Sequence, residues 1–208
     1  MMKKSCIAFA IAALMSVGAM AQDKIELPTP QFDEKSQKVT LVETLWKRQS
    51  ERQYAETDLS LQELSNVLWA ACGVNRPESK RITAPSAINA QDILVFVCRK
   101  DGAWKYDAFQ NSLTRVSTLD LRKAVAGRQE FAAEAPVSLV LVSDVSRVHN
   151  NRELGAMDAG YVSENIYLVC TAMGLKTVAR ATMERDALVR ELGLTDSQVP
   201  MLNHPVGK

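Results

Sequence analysis

Apolar and polar positions alternate along this chain in two distinct rhythms. Ile93 to Cys98 and Val137 to Val142 are compact, largely β-branched runs, the pattern of strands buried on both faces. After the first run, Lys100-Asp101-Gly102 reads as a turn and Ala103 to Phe109 as a returning strand. Leu175 to Ala181 and Val199 to Asn203 read as further short strands. A helical spacing replaces this elsewhere. Val39 to Lys47 sets Val42, Leu45 and Trp46 on one face. Ser60-Leu61-Gln62-Glu63 is a capping box, and it opens a helix with Leu61, Leu64, Val67, Leu68 and Ala71 inward and Gly73 as its stop. Leu119 to Ala126 and Met183 to Leu192 are short helices, and Met157 to Met173 is the longest. Val74 to Gln91, with Pro77 and Pro85, is a loop. Strands and helices interleave without a regular βαβ period, so the fold class is α+β.

The N-terminus departs from both rhythms. Met1-Met2-Lys3-Lys4 is basic, Cys6 to Met20 is uncharged and mostly apolar, and Ala19-Met20-Ala21 is a small-x-small cleavage pattern. The apolar stretch falls short of the ~20 residues that span a bilayer, which favours a cleaved export signal over an uncleaved anchor. The organisation is therefore a signal peptide over residues 1–21, a polar mobile leader over 22–38, and one domain over 39–208. The mature protein is expected in the periplasm, without stable membrane insertion. Removing residues 1–21 takes two lysines and no acid from 25 basic and 24 acidic residues, leaving 23 against 24. That balance argues against a nucleic-acid binder, which needs a clustered basic surface. The mature cysteines, Cys72, Cys98 and Cys170, each lie in an apolar stretch and read as small buried hydrophobes rather than a redox pair or metal site.

Three segments could carry chemistry. In Arg48-Gln49-Ser50-Glu51-Arg52, an extended backbone would send Arg48, Ser50 and Arg52 to one side. Two guanidiniums flanking a hydroxyl make an anion grip, although the same residues also fit a solvated helix end. Thr83 to Gln91 runs small and polar residues into the buried strand. There Asn89 and Gln91 could face a heterocycle edge, or the segment could be a turn capped by its own side chains. Gly160, inside the longest helix, has either a close neighbour, such as another helix or subunit, or no packing reason at all.

In order along the chain, these segments resemble the nitroreductase family. The resemblance rests on Arg48-x-Ser-x-Arg52, on Pro85-Ser86-Ala87-x-Asn89-x-Gln91, on Asp158-Ala159-Gly160 through Asn165 to Gly174-Leu175-x-Thr177-Val178, and on Leu202 to Lys208. It covers roughly residues 39–208. It implies a mixed or antiparallel central sheet flanked by helices in a domain-swapped homodimer, with FMN at the subunit interface. It also implies an oxidoreductase working by ping-pong transfer through flavin N5 to a small organic oxidant such as a nitroaromatic or quinone. A non-catalytic exported flavin-binding or electron-relay protein is the alternative. By the same resemblance, Arg48, Ser50 and Arg52 hold the phosphate and the N1/O2 side, and Ser86, Ala87 and Asn89 line the ring. Ala179-Arg180-Ala181 would supply a backbone N–H to N5, and Gly207 and Lys208 would close on the phosphate. No catalytic side chain and no metal is implied.

Overall fold

Alternation along β4 (Ile93–Arg99) and β7 (Val137–Asp144) divides the interior in two. Val95 and Val97 of β4, with Leu139 and Leu141 of β7, face one layer of helices. Phe96 and Cys98, with Val140 and Val142, face the other. The computed structural model describes residues 23–208. The expected secretory segment and its cleavage point after Ala21 lie outside the described residues.

Among the described residues, β4 and β7 form the centre of a seven-stranded sheet. On one side follow β5 (Gly102–Asp107), β6 (Ser112–Ser117) and β1 (Lys24–Glu26). On the other lie β9 (Gln198–Gly207) and β8 (Lys176–Thr177). Every ladder is antiparallel. A small separate ribbon, β2 (Val74–Arg76) with β3 (Arg81–Ile82), occupies part of the expected loop.

The first helical layer holds α3 (Leu61–Cys72) and α5 (Arg152–Met173), whose Leu64, Val67, Leu68, Val162, Ile166 and Cys170 pack on the sheet. The second holds α4 (Arg122–Ala126) and α6 (Arg185–Glu191), which contribute Val125 and Leu188. The expected capping box at Ser60 and Glu63 is present, although Leu61 faces solvent rather than the core. Gly73 ends α3 at an ordinary negative φ; glycine is required there because a Cβ would lie 2.4 Å from Trp69 Cδ1. The three cysteines are buried and free. Burial pushes the Cys72 and Cys98 thiols up to about 12 and raises Cys170 as well, so none is a ready thiolate.

One expectation is corrected here. The leader read as mobile joins the fold: β1 pairs with β6, with Ile25 opposite Leu113, and Leu27 enters the core. Asn66 of α3 then exchanges two hydrogen bonds with the Gln31 backbone. Asp33 caps α1 (Glu34–Lys38). The helix expected next is α2 (Leu41–Lys47). The helix forms, capped by a reciprocal Thr40–Glu43 pair, but its apolar face points outward. Leu41, Val42 and Leu45 are exposed and Trp46 is 86% exposed, while Thr44 is the buried residue.

Candidate active site

Two groups of polar residues sit on α5, nine residues apart, at Asp158 and Tyr167. At 3.6 residues per turn they lie about 14 Å apart along the axis and half a turn out of phase. Between them runs an exposed stripe of Ala156, Met157, Gly160, Tyr161 and Glu164.

The Tyr167 group gathers the first expected cluster. α2 ends at Arg48, where the backbone leaves the helix at ψ 122°, and the following segment lies along the sheet end through Glu51 N–H to Thr177 O and Ala55 N–H to Lys208 O. Arg48 stacks its guanidinium over the Tyr167 ring, 5.0 Å from the centroid. Ser50 Oγ is 2.9 Å from the Tyr167 hydroxyl. Arg52 turns back so that Nη1 is 3.4 Å from the Ser50 carbonyl oxygen. Arg48, Ser50 and Arg52 are thus brought together, and neither arginine is paired with a carboxylate among the described residues.

Around this group the structure narrows the expected roles of the later segments. Arg180 N–H donates to Asn203 O at 2.9 Å and Ala179 N–H to Tyr167 Oη at 2.8 Å, so neither amide is available to a flavin. Ala181 N–H has no acceptor among the described hydrogen bonds and is the remaining donor of the three. The Arg180 side chain is buried and turned away. Its guanidinium donates to Gln129 Oε1, Asn203 Oδ1 and the Val125 and Ala126 carbonyls that end α4, where a cation suits the helix dipole. Gly207 is covered: a Cβ there would come within 3.0 Å of Pro136 Cδ and 3.1 Å of Tyr54 Cδ1. Lys208 is paired with Glu63, Nζ to Oε1 at 3.0 Å. Gly207 and Lys208 therefore border the cluster without offering a free donor side chain to it.

The second group is the loop Ser86–Gln91. Ser86 Oγ accepts from Gln91 N–H, and Ala87 N–H reaches both carboxylate oxygens of Asp158 at 3.0 Å. Asn89 Oδ1 accepts from Arg81, leaving its amide N–H₂ for a ligand, whereas the Gln91 side-chain amide already donates to Lys80 O. Ile88, Asn89 and Gln91 all adopt positive φ, at 47°, 59° and 48°. For a β-branched residue this conformation costs of order 1–3 kcal/mol, and such strain concentrates at ligand-binding segments. The Ile88 side chain is also exposed.

Asp158 entered the sequence reading only as part of the motif on the long helix, without a role, and the Asp92 beside it went unread. Asp92 is fully buried, accepts from Ser143 Oγ, and has an Oδ1 without a donor among the described residues. Burial, with Asp92 adding to it, pushes Asp158 up to about 6. Because the folded value lies above the ordinary 3.8, the fold holds a proton that the unfolded chain releases between those values. Stability contributed by this group is therefore lost as pH rises through that window. Asp158→Asn keeps an acceptor for Ala87 N–H and gives Asp92 a permanent donor. It is expected to stabilise the protein at pH 7 by on the order of 1–3 kcal/mol, with the gain shrinking toward pH 4. Urea unfolding of both proteins across this range measures it, and a gain independent of pH would contradict the assignment.

Tyr167 also went unread, because a phenol within Ile166-Tyr167-Leu168-Val169-Cys170 looks like core. Its signal is the helical spacing that puts it one turn after Ser163, on the side facing β9 and the Arg48 segment. Among the described residues no group of three or more His, Cys, Asp or Glu could hold a metal ion.

The profile of the Nitroreductase family matches residues 45–208. A Methanocaldococcus jannaschii protein assigned by name to the nitroreductases is 31% identical over 200 residues, covering 89% of this chain and 98% of its own length. A Ralstonia eutropha crystal structure with the same assignment is 34% identical and covers 89% of both chains, with a TM-score of 0.81. An FMN-dependent nitroreductase of Clostridium difficile shares the fold at 17% identity, covering 80% of this chain and 86% of its own, with a TM-score of 0.57. On the family match and these identities, the chain belongs to the nitroreductase family.

Proposed function

We propose that this chain is an FMN-dependent oxidoreductase, working as a homodimer outside the cytoplasm and passing reducing equivalents to a small organic oxidant such as a nitroaromatic or quinone. The observation that carries the reading is the pair of guanidiniums, Arg48 and Arg52, held beside Ser50 with no carboxylate paired to them among the described residues. Two cations and a hydroxyl at one surface fit the oxygens of a phosphate monoester, since each guanidinium donates parallel hydrogen bonds. When bound, FMN supplies the hydride chemistry at its N5, which no side chain of the chain provides.

The protein's own residues have binding and orienting tasks. Arg48, Ser50 and Arg52 anchor the phosphate, and the charge of Arg52 favours negative charge on the adjoining N1/O2 side. Ala181 N–H orients the N5 edge. Ser86, Ala87 and Asn89 line the ring, with Asp158 holding Ala87 in place. Donor and oxidant then use one face in turn, which is ping-pong kinetics.

A second copy completes the site. The two groups leave α5 on opposite flanks, so the loop of one protomer and the phosphate cluster of its partner are the natural pair. Leu41, Val42, Leu45 and Trp46 on α2 and Met157 and Tyr161 on α5 are exposed large apolar side chains of the kind subunits cover. Gly160 has nothing within 4 Å of the Cβ position, so no contact within the chain requires glycine there. A second helix seated on the stripe would.

Export follows from the pattern of residues 1–21, and it bears on the electron donor. Nicotinamide dinucleotides are a cytoplasmic currency, so the proposed donor is a quinol, a small organic reductant or a partner redox protein. Anaerobic mixing of the flavin-loaded protein with a soluble quinol is expected to bleach the flavin faster than micromolar NADPH does. Rapid bleaching by NADPH would remove this part of the proposal. Among the described residues no helix is long and apolar enough to cross a membrane.

A further inference from the structure

The hydrogen bonds at Tyr167 run in one direction. Ala179 N–H can only donate, so at 2.8 Å the phenol oxygen is its acceptor. The phenol, on a residue only 8% exposed, must place its own proton, and among the described residues the acceptor it meets is Ser50 Oγ at 2.9 Å. Ser50 therefore accepts from inside the protein. Its own proton is left facing outward, where no protein acceptor meets it among the described residues. The ring cannot easily turn out of this arrangement. Arg48 covers one face, and His204 meets the ring edge-on with centroids 5.3 Å apart. His204 is itself fixed between Ser163 Oγ at 2.7 Å and Thr177 Oγ1 at 3.0 Å, and burial pushes it down to about 3, so it brings no charge to the cluster at neutral pH.

We propose that Tyr167 is a positioning residue for phosphate recognition: it orients Ser50 as a dedicated hydrogen-bond donor to the phosphate of the bound flavin nucleotide, a step that rests on the FMN reading above. A serine free to rotate presents lone pairs as readily as a proton, and lone pairs repel a phosphate oxygen. With its acceptor side occupied by the phenol, Ser50 instead joins Arg48 and Arg52 as a third donor. The Ala179 amide occupies the other side of the same phenol oxygen, which leaves the phenol proton for Ser50.

The test uses the full mature protein and compares FMN with riboflavin, which has the same ring and no phosphate. Tyr167→Phe keeps the ring under Arg48 and removes only the hydroxyl, and Ser50→Ala removes the donor. Each is expected to weaken FMN about 10-fold while changing riboflavin affinity less than about 2-fold. The double variant should be no weaker than the weaker single, because both act through one bond. Ser50→Thr, which retains a hydroxyl, should restore FMN affinity. Should Tyr167→Phe fail to fold, Ser50→Ala against Ser50→Thr gives the same comparison at an exposed position. Equal losses of FMN and riboflavin, unchanged FMN affinity in Ser50→Ala, or additive effects in the double variant would overturn the proposal while leaving FMN binding intact. If the unsubstituted protein takes up neither flavin, the FMN reading itself fails.

Discussion

Replacing Arg48 and Arg52 together by alanine is expected to abolish FMN retention without unfolding the domain. Arg52 is exposed, and its one described hydrogen bond is the long contact to the Ser50 carbonyl. Arg48 contributes a stacking contact on Tyr167, which at a partly exposed site is worth about 0.5–1 kcal/mol. The structural cost of losing both is therefore small. The binding cost is not. Two charge-assisted contacts to a phosphate are worth about 1.5–3 kcal/mol each, so their joint loss should weaken FMN by roughly 100-fold or more. Flavin content of the purified double variant, a fluorescence titration and a thermal melt together decide the matter. A variant that still carries one FMN per chain would place the phosphate grip elsewhere.

The second large effect is expected at Gly160. Within one chain the Cβ position looks onto open space, and glycine in a helix interior costs about 1 kcal/mol relative to alanine. Gly160→Trp should therefore leave an isolated protomer at least as stable as before. A second α5 stripe crossing at this point would be pushed away. The expected result by sedimentation at micromolar concentration is a dimer for the unsubstituted protein and a monomer for the variant, with subunit affinity lowered by about 100-fold or more. Because each flavin site is proposed to draw on both protomers, the monomer should also be colourless. A variant that remains dimeric and flavin-bound would remove Gly160 from the interface.

These two positions show what could be read from the chain and what could not. β4 and β7 were legible because strands buried on both faces need continuous β-branched apolar residues, and few other elements do. α3 was legible from its capping box, which is a local device. β1 was not. Lys24-Ile25-Glu26 has no apolar run, and its place in the sheet comes from backbone bonds to β6, almost ninety residues away. β6 was missed for a related reason: Arg115 covers Trp104 with its guanidinium where a hydrophobic side chain would have advertised a strand. The helix α2 was placed correctly and its apolar face was read correctly. What hydrophobic spacing could not tell was that this face meets nothing in its own chain.

The candidate site divides in the same way. The gathering of Arg48, Ser50 and Arg52 was anticipated from their spacing in the segment after α2. The involvement of Ser86, Ala87 and Asn89 in one strained loop was visible as a cluster of small and polar residues, but its support by Asp158 was not. Residue type could not reveal that the Arg180 amide already bonds Asn203, or that Lys208 already pairs with Glu63. Those are statements about which donors remain unoccupied after folding, and only three-dimensional structure answers them. Tyr167 makes the same point from the other side. A phenol within an apolar helix looks like packing until its hydroxyl is seen between Ser50 and Ala179.

The central claim is that the mature chain holds FMN in a site anchored by Arg48, Ser50 and Arg52. Its most direct test is the visible absorption spectrum of the purified mature protein, followed by release and identification of the chromophore. The purified protein is expected to be yellow and to release FMN at about one per chain, or to take it up to that level when the nucleotide is supplied. A colourless protein that gains no flavin on incubation with FMN would contradict it.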